Sequence, residues 1–130
     1  MMPIKVLVAD HTDIVRRAIY LVLKDKSEIE LVGQACDFAQ TMQMTTELKP
    51  QIVVLDIHMP DRVNVTPQDL KSHLTLSGAR LVVVSIWNDA ETEALAASFG
   101  AAGFLDKNDL SETLIPTILS LAPVARSATR

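Results

Sequence analysis

Apolar residues fall into five short runs along the chain, and each run is followed by a longer segment with helical spacing. The runs cover residues 4–9, 29–35, 51–56, 79–86 and 101–107. Strands that alternate with helix-length segments are typical of βαβ units and a parallel sheet. The third and fourth runs are apolar throughout, as in central strands covered on both faces. The pattern therefore predicts a single doubly wound α/β domain with a five-stranded parallel sheet and about five helices.

Residues that cap helices mark where the segments between these runs begin and end. Ser, Thr, Asp and Asn favour the N-cap because their side chains accept a hydrogen bond from a free amide of the first turn. Glycine favours the position after a helix because it adopts a left-handed backbone without strain. On this basis we expect N-caps at Thr12, Asp37, Thr66 and Asn88, and glycine ends at Gly78 and Gly100.

The last and the first helix carry more specific expectations. Pro116 lacks the amide hydrogen that a helix interior needs, which costs about 3 kcal/mol. We therefore expect the last helix to start late, near Thr113, or to kink at the proline. The first helix is expected to face the sheet with one apolar stripe, made of Ile14, Val15, Ala18, Ile19, Val22 and Leu23.

Polar side chains stand at the ends of four of the five predicted strands. They are Asp10, Asp56, Ser85 and Lys107. In open α/β sheets, ligands bind at the carboxyl ends of the strands, where the strand order reverses. A buried carboxylate without a partner is costly. We therefore expect Asp56 to face Lys107, together with a metal ion or water.

The four groups together make up a site for accepting a phosphoryl group. An aspartate carboxylate attacks phosphorus and forms an acyl phosphate. The transfer needs an ammonium and a cation, usually Mg²⁺, to neutralise charge on the phosphoryl oxygens. Mg²⁺ binds carboxylate oxygens together with waters. Each residue alone is more often a turn, cap or surface residue, so their placement at one sheet edge carries the inference.

Composition narrows the remaining classes of protein. A chain of 130 residues, 48% apolar and 22% charged, has the size and composition of one folded domain rather than of a disordered segment. The net charge of −4 speaks against direct binding of nucleic acid by this domain. No apolar run approaches the roughly 20 residues that cross a bilayer, and an acid at position 10 comes too early for a signal peptide. A lone cysteine, Cys36, fits the reducing cytoplasm and is expected to be a small core residue.

Four motifs resemble those of one known family. VLVADH (6–11), VVLDIHMP (53–60), LVVVSIW (81–87) and GAAGFLDK (100–107) resemble, in order and spacing, the receiver domain of bacterial two-component response regulators. The resemblance extends over essentially residues 3–122. It implies a flavodoxin-like receiver domain in residues 1–122 and a flexible tail or the start of a linker in residues 123–130.

The resemblance also implies a role for several side chains. Asp56 would be phosphorylated by a histidine kinase or a phosphotransfer protein, and Lys107 would contact the phosphoryl group. Ser85 would be the switch hydroxyl and Phe104 the switch aromatic. The surface formed by the fourth helix, fifth strand and fifth helix would then bind an output partner or domain, or a second copy of the chain. The family implies a switch that hydrolyses its acyl phosphate slowly, and not a turnover enzyme.

The resemblance implies a metal site from which this chain departs. Asp10, Asp56 and the backbone carbonyl of His58 would hold Mg²⁺, and the His58 side chain would modulate dephosphorylation. The family has two adjacent acids after the first strand, whereas this chain has Asp10 and His11. Mg²⁺ prefers oxygen ligands, so we expect weaker Mg²⁺ binding and better tolerance of Mn²⁺. Alternatively, a protonated His11 supplies positive charge, or His11 turns outward and the site works poorly.

Three further residues lie beside the predicted site. Ile86 replaces a small residue and is expected to narrow access to Asp56, slowing phosphorylation, hydrolysis of the acyl phosphate, or both. Trp87 is expected either to cover the pocket, to anchor a partner or to pack over the fourth helix. Asn64 replaces a glycine in the loop after Asp56, and we expect it to take the left-handed backbone that glycine would supply.

Two alternatives to a phosphorylated receiver remain open. The first is a degenerate receiver that binds partners without phosphorylation, which His11 and Ile86 favour. The second is a flavodoxin-like FMN protein or a small α/β enzyme on the same architecture. A flavin phosphate needs a loop of backbone amides and hydroxyls after the first strand, but here that loop begins with Asp10 and contains no glycine. The residues therefore disfavour the flavin alternative.

Overall fold

A computed structural model describes residues 2–122 of the chain. The predicted tail, residues 123–130, lies outside the described residues, so the division of the chain at residue 122 stays a prediction. The strands are β1 (Ile4–Ala9), β2 (Ile29–Ala35), β3 (Ile52–Asp56), β4 (Arg80–Ser85) and β5 (Gly103–Asp106). The helices are α1 (Asp13–Leu23), α2 (Phe38–Leu48), α3 (Pro67–Ser77), α4 (Ala90–Ser98) and α5 (Leu110–Leu121), with short 3₁₀ helices at Pro60–Asn64 and Lys107–Asp109.

The five strands form one parallel sheet in the order β2-β1-β3-β4-β5, and the predicted fold class is confirmed. The strand order reverses between β1 and β3, which pair directly, with Ala9 opposite Leu55. The residue that follows β1, Asp10, and the last residue of β3, Asp56, therefore lie next to each other at the carboxyl edge. This is the edge at which ligands are expected to bind.

Two apolar layers hold the sheet between the helices. Side chains of α2, α3 and α4 pack on one face, and side chains of α1 and α5 pack on the other. Every residue of β3 is buried, as its unbroken apolar pattern predicts. Full burial on both faces makes the central strands rigid supports for the residues at their ends.

The helix boundaries confirm most of the predicted caps and correct two of them. Asp37 and Thr66 accept hydrogen bonds from the first turns of α2 and α3, and Gly78 ends α3 with a left-handed backbone. Thr12 precedes α1, but its side chain does not cap the helix. The hydroxyl donates instead to Oδ1 of Asp10, 2.8 Å away, because that buried carboxylate is within reach.

The N-cap of α4 is Asp89 rather than Asn88. The main-chain amide of Thr92 donates to Asp89 Oδ1 over 2.9 Å. The side chain of Thr92, its main chain and, to a smaller extent, the charge of His58 hold the pKa of the Asp89 carboxyl below its ordinary value of 3.8. A carboxylate at this position also suits the positive end of the helix dipole.

The buried stripe of α1 is narrower than predicted. Ile19 and Leu23 are buried, but Ile14 is 82% exposed and Ala18 is also exposed. A helix turns by about 100° per residue, so Ile14 lies roughly 140° around the helix from Ile19. The prediction that Ile14 and Ala18 face the sheet is therefore wrong.

Cys36 is exposed, which contradicts its prediction as a core residue. It follows β2, an edge strand, where the chain leaves the sheet for the α2 cap at Asp37. Its main-chain amide donates to Gln40 Oε1 over 2.9 Å. The local turn therefore places the thiol outside the core.

The loop after β3 also differs from the prediction. Asn64 ends a right-handed 3₁₀ helix, and Lys49 is the only non-glycine with a positive φ among the residues the structure describes. Reversal of the chain by the 3₁₀ helix removes the need for a left-handed residue. The expectation for Asn64 is therefore wrong.

Helix α5 begins at Leu110 and continues across Pro116, so the predicted late start near Thr113 is wrong. Leu110, Leu114 and Ile118 are buried against the sheet. Burial of such side chains contributes about 1.5–3 kcal/mol each, which together exceeds the roughly 3 kcal/mol cost of the proline. Packing therefore overrides the local preference.

Replacing Pro116 with alanine should raise the free energy of unfolding by about 1–3 kcal/mol, because it restores a donor to the helix interior. Urea denaturation of the purified chain measures the change. Pro67→Ala is the matched control and should have little effect, because Pro67 occupies the first turn of α3, where its missing donor is not needed. Equal or lower stability of Pro116→Ala would contradict this account.

The Asp89 carboxyl should titrate below pH 3.8, as measured by NMR of its side chain. Because its pKa is lowered in the folded state, its contribution to the start of α4 is complete above the unfolded value. The contribution disappears as the pH falls through the lowered, folded-state value. Thr92→Val, which removes the hydroxyl partner, should raise the midpoint. An unchanged midpoint in that variant would show that another interaction lowers the pKa.

Candidate functional site

Asp10 follows β1 and is fully buried. Its Oδ1 accepts hydrogen bonds from the amide and the hydroxyl of Thr12, over 2.9 and 2.8 Å. A guanidinium nitrogen of Arg16 donates to the Asp10 carbonyl. The Asp-x-Thr spacing favours this local turn. The spacing is visible in the sequence, but capping rules alone interpret Thr12 as the side-chain cap of α1. The turn fixes the carboxylate and leaves Oδ2 directed at the other groups of the site.

Asp56 is the last residue of β3 and is 2% exposed. Its two carboxylate oxygens have different surroundings. Oδ1 accepts a hydrogen bond from the His58 amide over 2.9 Å. Oδ2 lies 3.4 Å from Lys107 Nζ and 3.4 Å from His11 Nδ1. One oxygen is therefore held by the main chain, while the other faces two side chains that can carry positive charge.

Lys107 connects the two carboxylates. It starts the 3₁₀ helix after β5, and its Nζ lies 2.7 Å from Asp10 Oδ2 and 3.4 Å from Asp56 Oδ2. The predicted proximity of Lys107 and Asp56 is confirmed, but the ammonium lies nearer to Asp10. One positive charge thus faces two buried negative charges, which leaves the three groups with a net charge of −1.

His11 faces the two carboxylates. Its Nδ1 lies 3.4 Å from Asp56 Oδ2 and 3.9 Å from Asp10 Oδ1, although 42% of the side chain is exposed. The alternative in which His11 turns outward is therefore wrong for this structure. The imidazole therefore contributes a nitrogen to the cluster.

The residues present fit a divalent cation. One ligand atom from each of Asp10, His11 and Asp56 lies within 4.8 Å of the others. Asp10 Oδ2 is buried and, apart from its ion pair with the Lys107 ammonium at 2.7 Å, has no partner among residues 2–122, so it has a lone pair to offer. Two carboxylates suit Mg²⁺, whereas the imidazole nitrogen suits ions further along the transition series. The predicted contribution of the His58 carbonyl stays a prediction.

Ser85 ends β4 at the same edge and is buried. Its ladder neighbour is Asp106, and the preceding residue, Val84, pairs with Asp56. Its Oγ accepts a hydrogen bond from the Trp87 amide over 2.9 Å. The hydroxyl therefore belongs to the turn that leads toward α4 in this structure.

The four remaining predicted residues lie around this edge or beside it. Ile86 and Trp87 follow Ser85 and are 58% and 56% exposed, so more than half of each side chain is open to solvent. His58 is exposed beyond Asp56. Phe104 lies within β5 and lines a groove of about 430 Å³ with Glu93 and small residues of α4, of β5 and of the segment between them. The roles assigned to these side chains stay predictions.

One charged group near the site has no local signal in the sequence. Asp61, in the 3₁₀ helix after β3, accepts hydrogen bonds from the amides of Phe38 and Ala39 at the start of α2. The partners are more than 20 residues away along the chain. Sequence reasoning places an N-cap at Asp37 but has no means of finding a second carboxylate supplied by another segment.

Comparisons with known proteins agree with the fold. The family model of the response regulator receiver domain matches residues 6–118. The response regulator GacA of Pseudomonas syringae pv. syringae is 33% identical over 106 residues, which are 80% of this chain and 48% of GacA. The nitrate/nitrite response regulator NarL of Escherichia coli K12 is 28% identical over 116 residues, 89% of this chain and 53% of NarL. The chain thus spans about half the length of these relatives.

Solved structures show the same architecture. The receiver domain of the putative response regulator NarL from Mycobacterium tuberculosis superposes with a TM-score of 0.83 at 23% identity, covering 94% of this chain and 98% of that one. The response regulator domain of CheB from Thermotoga maritima gives a TM-score of 0.79, also at 23% identity, and covers 93% of this chain and 97% of that one. Within residues 2–122, every helix is too short or too polar to cross a membrane. The chain belongs to the response regulator receiver domain family of two-component signalling proteins.

Proposed function

We propose that this receiver domain accepts a phosphoryl group on Asp56, in the cytoplasm, from a phosphohistidine of a histidine kinase or phosphotransfer protein. The observation that carries the proposal is the asymmetry of the Asp56 carboxylate. Oδ1 is held by the His58 amide, and Oδ2 faces Lys107 and His11 at 3.4 Å each. A nucleophilic oxygen next to positive charge is what attack on a phosphoryl group requires.

The transfer exchanges one bond to phosphorus for another. Asp56 Oδ2 forms the new oxygen–phosphorus bond while the nitrogen–phosphorus bond of the donor histidine breaks. The electron pair of the broken bond stays on the donor imidazole. The phosphoryl oxygens are negative, and Lys107 neutralises part of that charge. Because Lys107 Nζ lies 2.7 Å from Asp10 and 3.4 Å from Asp56, it needs only a small shift to reach the phosphoryl group.

A divalent cation would be held by Asp10, Asp56, His11 and the backbone carbonyl of His58. When bound, it supplies charge neutralisation at the phosphoryl oxygens. Asp10 is rigid because Thr12 fixes its Oδ1, so it offers a pre-positioned ligand. The mixed donor set favours Mn²⁺ over Mg²⁺ relative to a site with a carboxylate at residue 11.

Ser85 and Phe104 would pass phosphorylation on to the surface. A bond from the Ser85 hydroxyl to a phosphoryl oxygen would draw the turn that carries Ile86 and Trp87 toward Asp56. Helix α4 buries only Thr92 and Ala96, so its displacement loses little apolar contact. The face made by α4, β5 and α5 would thereby change its affinity for an output partner, an output domain or a second copy of the chain. This is a population shift between two conformations.

Receiver domains generally switch rather than turn over a substrate, and this chain would at most hydrolyse its own acyl phosphate. His58, which is exposed beside Asp56, and Ile86 would set the rate of that hydrolysis.

A degenerate receiver is the second candidate, and one observation favours it. His11 Nδ1 already lies 3.4 Å from Asp56 Oδ2, on the side where a family member carries an acid. If the imidazole stays there, it satisfies the nucleophilic oxygen and obstructs the metal position. The domain would then bind partners without phosphorylation.

Acetyl phosphate with Mn²⁺ or Mg²⁺ should add one phosphoryl group to the chain, as detected by intact mass. Asp56→Asn should abolish the gain, whereas Asp25→Asn, a change at an exposed carboxylate of the α1 end, should leave it intact. Lys107→Ala should slow the reaction by about 10²-fold, the scale of losing one charge-stabilising donor. Lys24→Ala is the matched control. Absence of any gain with both ions would favour the degenerate receiver.

Exchanging His11 for aspartate should raise Mg²⁺ affinity by on the order of tenfold. A unit charge at about 4 Å is worth about 4 kcal/mol at an effective dielectric of 20, and exposure of the side chain reduces that figure. The preference for Mn²⁺ over Mg²⁺ should narrow in parallel. Titration calorimetry measures both affinities, with His73→Asp as the control for added charge. An unchanged Mg²⁺ affinity in His11→Asp would exclude residue 11 from the metal site.

A further inference from the structure

The carboxylate of Asp61 connects the loop after the phosphoacceptor strand to the start of α2. Its Oδ1 accepts from the Phe38 amide over 2.9 Å and its Oδ2 from the Ala39 amide over 3.1 Å. The 3₁₀ helix that carries Asp61 is interrupted at that residue, which has φ −89° and ψ 15°. Asp61 is thus a half-buried acid whose two oxygens are both used by a helix that precedes it in the chain.

The start of α2 is a fixed point in the domain. Phe38 is fully buried and stacks on Phe99, with ring centroids 6.0 Å apart. The Asp37 side chain accepts from the third amide, that of Gln40, over 2.7 Å. Two carboxylates therefore satisfy the first three amides of the helix. Because the helix end is anchored by its own core residue and its own cap, the Asp61 contact restrains the loop rather than the helix.

The restrained loop contacts the phosphoacceptor directly. His58, three residues before Asp61, donates its amide to Asp56 Oδ1 over 2.9 Å. His58 itself is exposed. Of the two residues between His58 and Asp61, Met59 is buried and Pro60 is exposed. The amide of His58 is thus held between the rigid end of β3 and the Asp61 contact with α2. Loss of that contact would leave the buried side chains of Ile57 and Met59, on either side of His58, as the anchors of the loop.

We propose that Asp61 is a positioning residue for the phosphoacceptor site. By holding the loop to the fixed start of α2, it keeps the His58 amide on Asp56 Oδ1. That bond orients the carboxylate so that Oδ2 faces Lys107 and His11. It also sets the position of the His58 carbonyl. The orientation of Asp56 is seen directly in the structure. The effect of that orientation on metal binding and phosphoryl transfer rests on the proposed function.

A pair of variants at the same helix end separates positioning from simple capping. Asp61→Ala removes the contact between loop and helix, and Asp37→Ala removes the cap of α2 without touching the loop. Both should destabilise the domain, as measured by urea denaturation. Amide hydrogen exchange by NMR then reports on His58 in each variant under conditions that leave the domain folded.

The His58 amide should exchange faster by on the order of tenfold in Asp61→Ala, the scale of one lost hydrogen bond. In Asp37→Ala its exchange should follow only the change in global stability. Asp61→Asn keeps one carbonyl oxygen as an acceptor, so its exchange rate at the His58 amide should lie between those of Asp61→Ala and Asp37→Ala. This variant replaces Asp61→Ala in the experiment if Asp61→Ala does not fold. Equal exchange of His58 in the variants at residues 61 and 37, once corrected for stability, would overturn the proposal.

Metal affinity gives a second measurement that capping alone would not change. Mn²⁺ binding, followed by the electron paramagnetic resonance of the free ion, should weaken by about tenfold in Asp61→Ala, as expected for loss of a residue that orients ligands. It should be nearly unchanged in Asp37→Ala. If the native chain binds no Mn²⁺ and accepts no phosphoryl group, the proposed function fails. The exchange of His58 still decides the positioning role in that case.

Discussion

The structure of the site depends on one ammonium shared between two buried carboxylates. Asp10 and Asp56 end neighbouring strands with almost no exposure to solvent, and Lys107 Nζ lies 2.7 and 3.4 Å from them. Two carboxylates placed side by side without a cation would repel each other and lose their hydration. A single positive charge offsets one of them and leaves a net negative site. On the proposed function, a phosphoryl group at Asp56 would need further positive charge, which a cation held by Asp10, Asp56 and His11 would supply.

The parallel sheet is what brings these charges together. The strand order places β1 beside β3, with β4 and β5 following. The residues at the ends of these strands, Asp10, Asp56, Ser85 and Lys107, therefore lie along one edge. Apolar layers on both faces fix the strands, and short local turns then aim each side chain. Thr12 holds Asp10, the His58 amide holds Asp56, and Ser85 is tied into its own turn. Rigid strands and local turns together leave Asp56 Oδ2 as the carboxylate oxygen that faces both Lys107 and His11.

The fold follows from the sequence because strands buried on both faces produce continuous apolar runs. The first two runs match their strands at both ends, and the remaining three are longer than their strands by one, two and three residues. The convergence of Asp10, Asp56 and Lys107 was also predictable, since parallel strands of known order bring their ends to one edge.

The features that the sequence did not reveal depend on contacts between distant segments or on choices between local partners. As an N-cap, the Thr12 hydroxyl would accept from an amide of α1, whereas here it donates to the buried Asp10 carboxylate, and a hydrogen bond to a charged group is the stronger of the two. Asp61 acts on a helix that lies earlier in the chain, so no periodicity marks it. The continuity of α5 through Pro116 depends on the burial of its apolar face, which local helix preference does not contain. The inward turn of His11 depends likewise on two carboxylates from different strands.

A crystal structure of the chain with beryllofluoride and Mn²⁺ would show where the shared ammonium goes when a phosphoryl mimic binds. We expect beryllium on Asp56 Oδ2, with Lys107 Nζ moved from Asp10 to a fluoride and the Ser85 hydroxyl turned away from the Trp87 amide. An unmodified Asp56, with Lys107 still on Asp10 and His11 still beside Oδ2, would show that the site does not accept a phosphoryl group in this way.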